Sequence, residues 1–419
     1  MLTHQVMFAH PQPAAVSLAA IMRAWVWLAV FSGAIVLSEP APTDILCLGL
    51  IALVPLAGLL RYDRLLLWYL MLWLLVAAGA LLAAGASNEI GRSATHAMVT
   101  LYLCVFSAVL AAFVAAKPDE HGTLVLKAYL AAALLAASAG LAGYFNALPG
   151  TFDLFTLFGR AAGTFKDPNV FGAFLVPAVL FVLHLVLTRP LSRSAGPLAA
   201  GLVLALALLL SFSRGAWLNL AVAAAAFIYL HLVKAASPLL RLRLAAILLL
   251  TGLIAALAVT ATLQTDAVSS LFAVRAELVQ GYDSGPEGRF GGQEKAARLL
   301  LDAPLGIGAF QFSAAHHHED VHNVYLNIFL NAGWVGGLSY TAIVALSLGL
   351  GFAHALKATP ERPIFLVAYA ALLGVVIEGW IIDTDHWRHF YLLLALVWGL
   401  MTGDGRHQAT HCITRSVRL

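Results

Sequence analysis

Four short polar segments interrupt an otherwise apolar chain, and their residue types suit the handling of an anion. The first runs from Gly159 to Asn169, with Arg160 and Lys166 flanking Asp167-Pro168-Asn169. Asp167 is an N-cap residue type and Pro168 a natural first helical residue, so a helix is expected to begin here. Its unbonded N–H groups and positive dipole end, beside two cations, make a phosphate site. The second segment, Ser211 to Trp217, reads as a tight turn between two apolar helices, with Ser213 as N-cap and Arg214 in the first turn. A cation in a first turn opposes the helix dipole, which points to an anionic ligand rather than to local stability. Capping, and basic side chains reaching toward the membrane interface, is the plain structural alternative for both segments.

The third segment is His316-His317-His318-Glu319-Asp320-Val321-His322-Asn323-Val324-Tyr325. Three adjacent histidines cannot all face one ion from a helix, and no pair has HExxH-like spacing, so no metal site is expected. His322 stands apart from the other three. It falls at the first turn of the next apolar run, where Asn323 is placed to orient it, and an imidazole with an ordinary pKa near 6.5 serves as a base at neutral pH. The fourth segment, Asp383 to His389, is a short polar loop in which Trp387 fits an interfacial aromatic belt. Asp383, Asp385 and Arg388 read there as mutual ion pairs. Arg23 and Glu378 lie inside apolar runs and read as partners for one another.

The elements that carry these segments follow from composition. The chain has 419 residues, 61% hydrophobic and 11% charged, with mean hydropathy +0.88. Soluble chains are about 25% charged. A soluble enzyme, a disordered protein, a nucleic-acid binder and a disulfide scaffold are therefore excluded. Of the three cysteines, Cys47 and Cys104 sit in apolar runs and Cys412 near the end, with no metal or disulfide spacing.

A helix needs about 20 largely apolar residues to cross a bilayer. Such runs occur at approximately 16–37, 45–61, 65–86, 95–116, 123–144, 169–188, 197–212, 215–233, 241–263, 323–354, 363–382 and 389–403, which makes twelve spans. The run 323–354 is too long for one straight span and is interrupted by Gly333, Gly336 and Gly337, so a short interfacial helix is expected before the span proper. The flank Met1 to Val16 has no Lys or Arg, and the first run reads as a retained helix rather than a cleaved signal.

An even number of spans puts both termini on one side. With Arg23 set aside inside the first span, 14 Lys and Arg fall on that side and 9 on the other, four of the nine in a single long loop. Both termini are thus expected in the cytoplasm. The long loop, about 263–321, lies on the opposite face and holds 8 acidic against 4 basic residues. Within it, Ala296, Leu299 and Leu300 have helical spacing, so an amphipathic helix from Gln293 to Asp302 is expected against the membrane face, ended by Pro304, Gly306 and Gly308. The expected fold is all-α: a polytopic integral membrane protein of about twelve transmembrane helices, one domain over 1–419, with one large periplasmic loop.

In order and spacing these segments resemble the O-antigen ligase and polymerase superfamily of bacterial membrane glycosyltransferases. The resemblance rests on Arg160, Gly163, Phe165, Pro168 and Asn169; on Ser213 to Ala216; on Arg289 and the Pro304 to Gly308 stretch; and on His322 to Leu326 with Gly333 and Gly336. It spans roughly Arg160 to Leu350. It implies transfer of a glycan from an undecaprenyl-pyrophosphate carrier, at the periplasmic face of the inner membrane, without metal or other cofactor. The acceptor would be the lipid A core in a ligase, or a second lipid-linked glycan in a polymerase. Carried onto this chain, Arg160, Arg214 and Arg289 would hold the pyrophosphate and His322 would activate the acceptor hydroxyl. Lys166, Asn169, Asn323 and Arg388 would support them, and His316 to His318 remain open as alternative bases.

The chemistry of the residues agrees with that reading. A pyrophosphate leaving group needs its growing charge neutralised, which arginine can do. A sugar hydroxyl needs a positioned base. No glycosidase-like carboxylate pair is evident. Ligase is favoured over a repeat-unit or exopolysaccharide polymerase, and an oligosaccharyltransferase acting on protein ranks third. A transporter would place its charges and broken helices near the midplane, often in two related halves, and neither pattern is visible. The partners are then the lipid-linked donor, the acceptor and membrane lipids, with no nucleic acid.

Overall fold

The computed structural model describes residues 17–233 and 285–403, together with Pro238, Arg241, Leu242 and 244–246. Most of the expected span 241–263, the first part of the long loop, Cys412 and the cations Lys234, Arg243, Arg275, Arg406, Arg415 and Arg418 lie outside the described residues. Apolar helices cover every other expected span. They are α1 (Leu18–Ser32), α2 (Pro42–Leu56), α3 (Arg64–Gly85), α4 (Ile90–Ala116), α5 (Pro118–Tyr144), α7 (Pro168–Thr188), α8 (Ala195–Leu210), α9 (Arg214–Val233), α12 (Val324–Ala355), α13 (Arg362–Glu378) and α14 (Arg388–Gly403). Three shorter helices lie between them: α6 (Thr151–Phe155), α10 (Arg289–Asp302) and α11 (Gln311–Ala315). The one sheet among the described residues is a two-residue ribbon, β1 (Thr156–Leu157) with β2 (Arg160–Ala161).

Six of these helices (α3, α4, α5, α7, α9 and α12) are long and apolar enough to cross a membrane, and α1, α2 and α8 are shorter apolar helices. The chain is thus an all-α membrane protein. One apolar core runs through the bundle, where α3 packs on α12, α4 on α14, and α9 on α13.

Local sequence sets the helix starts. Asp63 accepts from the Leu66 N–H at 2.8 Å, and, as the sequence predicts, Asp167 accepts from the Asn169 N–H at 2.7 Å with Pro168 in the first helical position. The expected pair of Arg23 with Glu378 does not form. Arg23 meets Glu120 at the start of α5, 2.5 Å away, near the end of the bundle where Lys117 also reaches Glu120. Glu378 lies at the other end of the bundle, so the two residues are kept apart by the length of their helices.

The break expected in the long run 323–354 sits at Gly333, whose backbone is left-handed (φ 64). A break inside an apolar helix frees backbone groups that lipid cannot satisfy, so a neighbouring segment must do so. Here the loop after α10 supplies the partners. Ile307 and Gly308 donate their N–H groups to Leu330 O at 2.7 and 3.2 Å, and Trp334 donates to Pro304 O at 2.9 Å. The glycine motif of the loop and the glycine motif of the helix thus form one joint. Helix α10 begins four residues before the expected Gln293. It lies against α12, where Ala296 joins Phe312, Val321 and Leu330 in a small second core.

A side chain at Gly333 would be strained by its φ, and its Cβ would come within 2.8 Å of the Pro304 and Leu305 carbonyl oxygens. Gly333→Ala should therefore cost about 1–3 kcal/mol, read as a lower unfolding midpoint in detergent. Gly349→Ala, in the same helix with nothing within 4 Å of the new Cβ, should leave the midpoint unchanged. Equal midpoints for the two variants would overturn this account of the joint.

Candidate functional site

Arg160 stands on the β1–β2 ribbon, whose connecting residues Phe158 (φ 51) and Gly159 (φ 70) are both left-handed, as a two-residue hairpin requires. The ribbon turns the guanidinium inward, where the residue is only 6% exposed. Its Nε donates to Ser211 O at 2.8 Å and its Nη2 to Asn169 Oδ1 at 2.8 Å. The first two polar segments are thereby joined: Arg160 ties the start of α7 to the turn that opens α9. In that turn Ser213 caps α9 as expected, its Oγ accepting the Ala216 N–H at 3.2 Å. Arg214 occupies the first helical position.

Gly215 follows because the Glu378 carboxylate stands behind it. A Cβ there would lie 2.7 Å from Glu378 Oε1. Asn219, one turn further along α9, donates to Glu378 Oε2 at 2.8 Å and fixes that carboxylate. The end of α13 leads to the third segment, since Gly379 O accepts the N–H of Val324, the first residue of α12, at 2.9 Å.

His322 is held at both backbone atoms in a left-handed conformation (φ 51). Asp383 Oδ2 accepts its N–H at 3.0 Å, and Gln293 Nε2 donates to its carbonyl at 3.1 Å. Asn323 plays a different part from the one expected. Its Oδ1 accepts from the Tyr325 and Leu326 N–H groups at 3.1 and 3.3 Å, so it caps α12 and leaves the orientation of His322 to Asp383 and Gln293. The His322 ring remains 29% exposed, with Nε2 3.8 Å from Glu319 Oε2.

Burial first, then the positive charge of Arg289, hold the His322 pKa below its ordinary value, while Glu319, Asp320 and Asp167 act in the opposite direction. These charges come from α10, from the loop before α12 and from the start of α7. The fold therefore gathers Arg160, Asp167, Arg289 and His322 at one end of the bundle, beside the turn that carries Arg214. Helix α10 presents Arg289 and Gln293 one turn apart, on the same face. Asp383 has its own pKa pushed up to about 8, by burial first and then by the charge of Asp385.

The other three histidines take other places. His317 is buried beside Phe312, its Nδ1 3.6 Å from Glu287 and 3.5 Å from Lys295 Nζ. His318 is exposed near Glu287 and Glu319. His316 is exposed at the end of α11. Glu287, His317 and His318 come close enough to share an ion, but the Lys295 ammonium already lies 2.9 Å from Glu287.

Lys166 and Arg388 belong to a neighbouring feature. Lys166 pairs with Glu39 at 3.4 Å. Arg388 does not join Asp383 and Asp385 in the expected ion pairs. Its Nε and Nη2 instead bind both oxygens of Asp44, at 2.7 Å each, because the start of α14 lies beside the start of α2. Both cations line a cavity of about 270 Å³ whose walls are largely apolar, with Phe106, Tyr129 and Phe174 among them. Asp167 lines the same cavity, which connects it to the Arg160 segment. Sequence reasoning missed Gln293, Asp44 and the hold of Asp383 on His322. A lone polar residue in a helix carries no signal of its partner's position, so nothing local could have revealed these contacts.

Removing one member of a partly buried, doubly bonded pair leaves a charge unmatched. Arg388→Ala should lower the unfolding midpoint in detergent clearly more than Arg298→Ala, whose pair with Glu294 is solvent-exposed. The double variant Asp44→Ala, Arg388→Ala should recover part of the loss. Equal effects for Arg388→Ala and Arg298→Ala would show that the pair does not brace this end of the bundle.

Comparison with known proteins bears on one stretch of the chain. Residues 199–341 match a family model described as O-antigen ligase. The match takes in Arg214, Arg289, His322 and Asn323 and stops short of Arg160, Lys166, Asn169 and Arg388. No curated protein matches the chain. Over residues 199–341, therefore, this chain is similar to the O-antigen ligase family, the group its polar segments resemble.

Proposed function

We propose that the chain is a membrane glycosyltransferase of the ligase type. It moves a glycan from an undecaprenyl-pyrophosphate carrier to the lipid A core, at the periplasmic face of the bacterial inner membrane, with both termini in the cytoplasm. The observation that carries this reading is the gathering of Arg160, Arg289 and His322 at one end of the bundle beside the Arg214 turn. Arginine matches pyrophosphate oxygens in a fork geometry and keeps its charge at any working pH.

In this reaction His322 takes the proton of the acceptor hydroxyl as its oxygen attacks the anomeric carbon. The bond from that carbon to the pyrophosphate oxygen breaks, and the leaving pyrophosphate keeps the electron pair. Arg160, Arg214 and Arg289 neutralise the charge that grows there. A single displacement inverts the anomeric centre. Asp383 and Gln293 act as positioning residues by fixing the backbone of His322. The matched family description supports an enzyme of the O-antigen ligase or polymerase type, and of the two we favour the ligase.

The test is a lipopolysaccharide gel from a deletion strain whose cells build carrier-linked O-antigen. Loss of every glycan-bearing band on the core, restored by the wild-type gene, is expected of a ligase. A core still bearing one repeat, with the ladder gone, would make the chain a polymerase. Arg214→Ala and His322→Ala should each abolish complementation while the protein accumulates in the membrane. Full activity in both would remove these residues from the site.

The pH profile gives an independent check. A base must be neutral to act, and the His322 pKa lies below its ordinary value, so activity should persist below pH of about 6.5 and fall only on further acidification. Glu319→Gln removes a charge that favours the imidazolium, so it should move the acid limb to still lower pH. An acid limb that stays in place, or moves upward, would mean that another group titrates.

A further inference from the structure

A second cluster of potential ligands lies at the same end of the bundle, outside the arginine site. His96 comes from the first part of α4, and Asp385 and His386 from the loop between α13 and α14. One ligand atom from each of the three lies within 4.8 Å of the others. Asp385 is 7% exposed, and its Oδ2 has no hydrogen-bond partner among the described residues. A buried carboxylate oxygen without a partner is costly, so this atom calls for a cation. Its neighbour is His96 Nε2 at 3.6 Å, too far for a hydrogen bond between them.

We propose that His96, Asp385 and His386 bind a divalent transition-metal ion that clips the α13–α14 loop to α4. Ligand atoms on a tetrahedral ion with bonds of about 2.0–2.1 Å stand about 3.3 Å apart. The His96–Asp385 separation of 3.6 Å is close to that edge. The two imidazole rings lie 3.9 Å apart, tilted by 23°, so one ring turns about its side-chain bonds before both present a nitrogen to a shared ion. His386 Nε2 meets the Thr100 hydroxyl at 2.9 Å, which leaves Nδ1 for the ion and supplies the outer hydrogen bond that a ligating imidazole keeps. Two nitrogens and one oxygen suit zinc and its neighbours rather than magnesium or calcium, which prefer oxygen ligands throughout.

The clip acts at a distance from the reacting atoms. Asp383, which holds the His322 N–H, is two residues before Asp385, and Arg388, which holds Asp44, is two residues after His386. An ion here fixes the short loop from which both contacts spring. It takes no part in the chemistry of the pyrophosphate, so the proposal stands or falls apart from the transferase reading.

The test uses the full chain, purified in detergent with a tag that contains no histidine, stripped with chelator and titrated with Zn²⁺ and with Co²⁺. Uptake of one Zn²⁺ per chain is expected, with a raised unfolding midpoint and the visible absorption of four- or five-coordinate Co²⁺. His96→Ala and Asp385→Asn should each weaken uptake by at least about 100-fold, beyond the loss seen when only an outer-shell partner is removed. The triple variant Glu287→Gln, His317→Ala, His318→Ala should bind as the wild type does, which separates this site from the cluster around Lys295. If either ligand variant fails to fold, His386→Gln and the wild-type Co²⁺ spectrum decide. Absence of saturable uptake, or uptake that persists in the ligand variants or disappears in the triple variant, overturns the proposal.

Discussion

The backbone of an interrupted helix must find partners inside the protein when its surroundings are apolar, and much of this architecture answers to that requirement. Gly333 breaks α12, and Leu330 O and the Trp334 N–H are taken up by residues of the Pro304–Gly308 loop. That loop is anchored in the bundle just after α10, while α12 itself begins just after His322. A single joint therefore fixes both ends of the segment that brings Arg289, Gln293 and His322 into place. The joint adds to the small apolar face of α10 and to the Gln293–His322 hydrogen bond, which also hold Arg289 near His322.

Charge at this end of the bundle is arranged in two layers. Pairs such as Arg388–Asp44 and Lys166–Glu39 are matched within the protein and brace the helix starts. The second group, Arg160, Arg214 and Arg289, comes from three different elements, the ribbon, the start of α9 and the start of α10. Helix starts already carry a positive dipole end, so Arg214 and Arg289 intensify a field that carboxylates usually offset. Burial first and then the Arg289 cation lower the basicity of His322, against the pull of Glu319, Asp320 and Asp167.

Helix positions were the most legible part of the sequence, because runs such as 65–86 and 169–188 exceed the bilayer thickness and Asp167-Pro168 marks a start by chemistry alone. The break at Gly333 was also visible, as a run too long to be straight. Pairings between distant segments were not. Arg23, Glu378, Asp383 and Arg388 were each matched with whatever opposite or neighbouring charge stood out in the sequence. The fold gives all four other partners: Glu120 for Arg23, Asn219 for Glu378, the His322 N–H for Asp383 and Asp44 for Arg388. Local pattern determines where a helix begins, whereas packing among helices determines what its polar ends meet. Of the proposed site residues, Arg289 does lie within electrostatic reach of His322, because each marks an element boundary on the same end of the bundle.

Several of the contacts that assemble this region are read from main-chain atoms. Arg160 grips the carbonyl of Ser211, Asp383 and Gln293 grip the amide and carbonyl of His322, and Pro304 grips the amide of Trp334. A carbonyl or amide is present whatever side chain a position carries. As far as these contacts go, a gripped position such as Ser211 can change identity while the gripping side chains of Arg160, Asp383 and Gln293 cannot, so long as the backbone path survives. Relatives that share this scaffold can then diverge widely along the turns and loops that meet their acceptors, and keep the same frame beneath them.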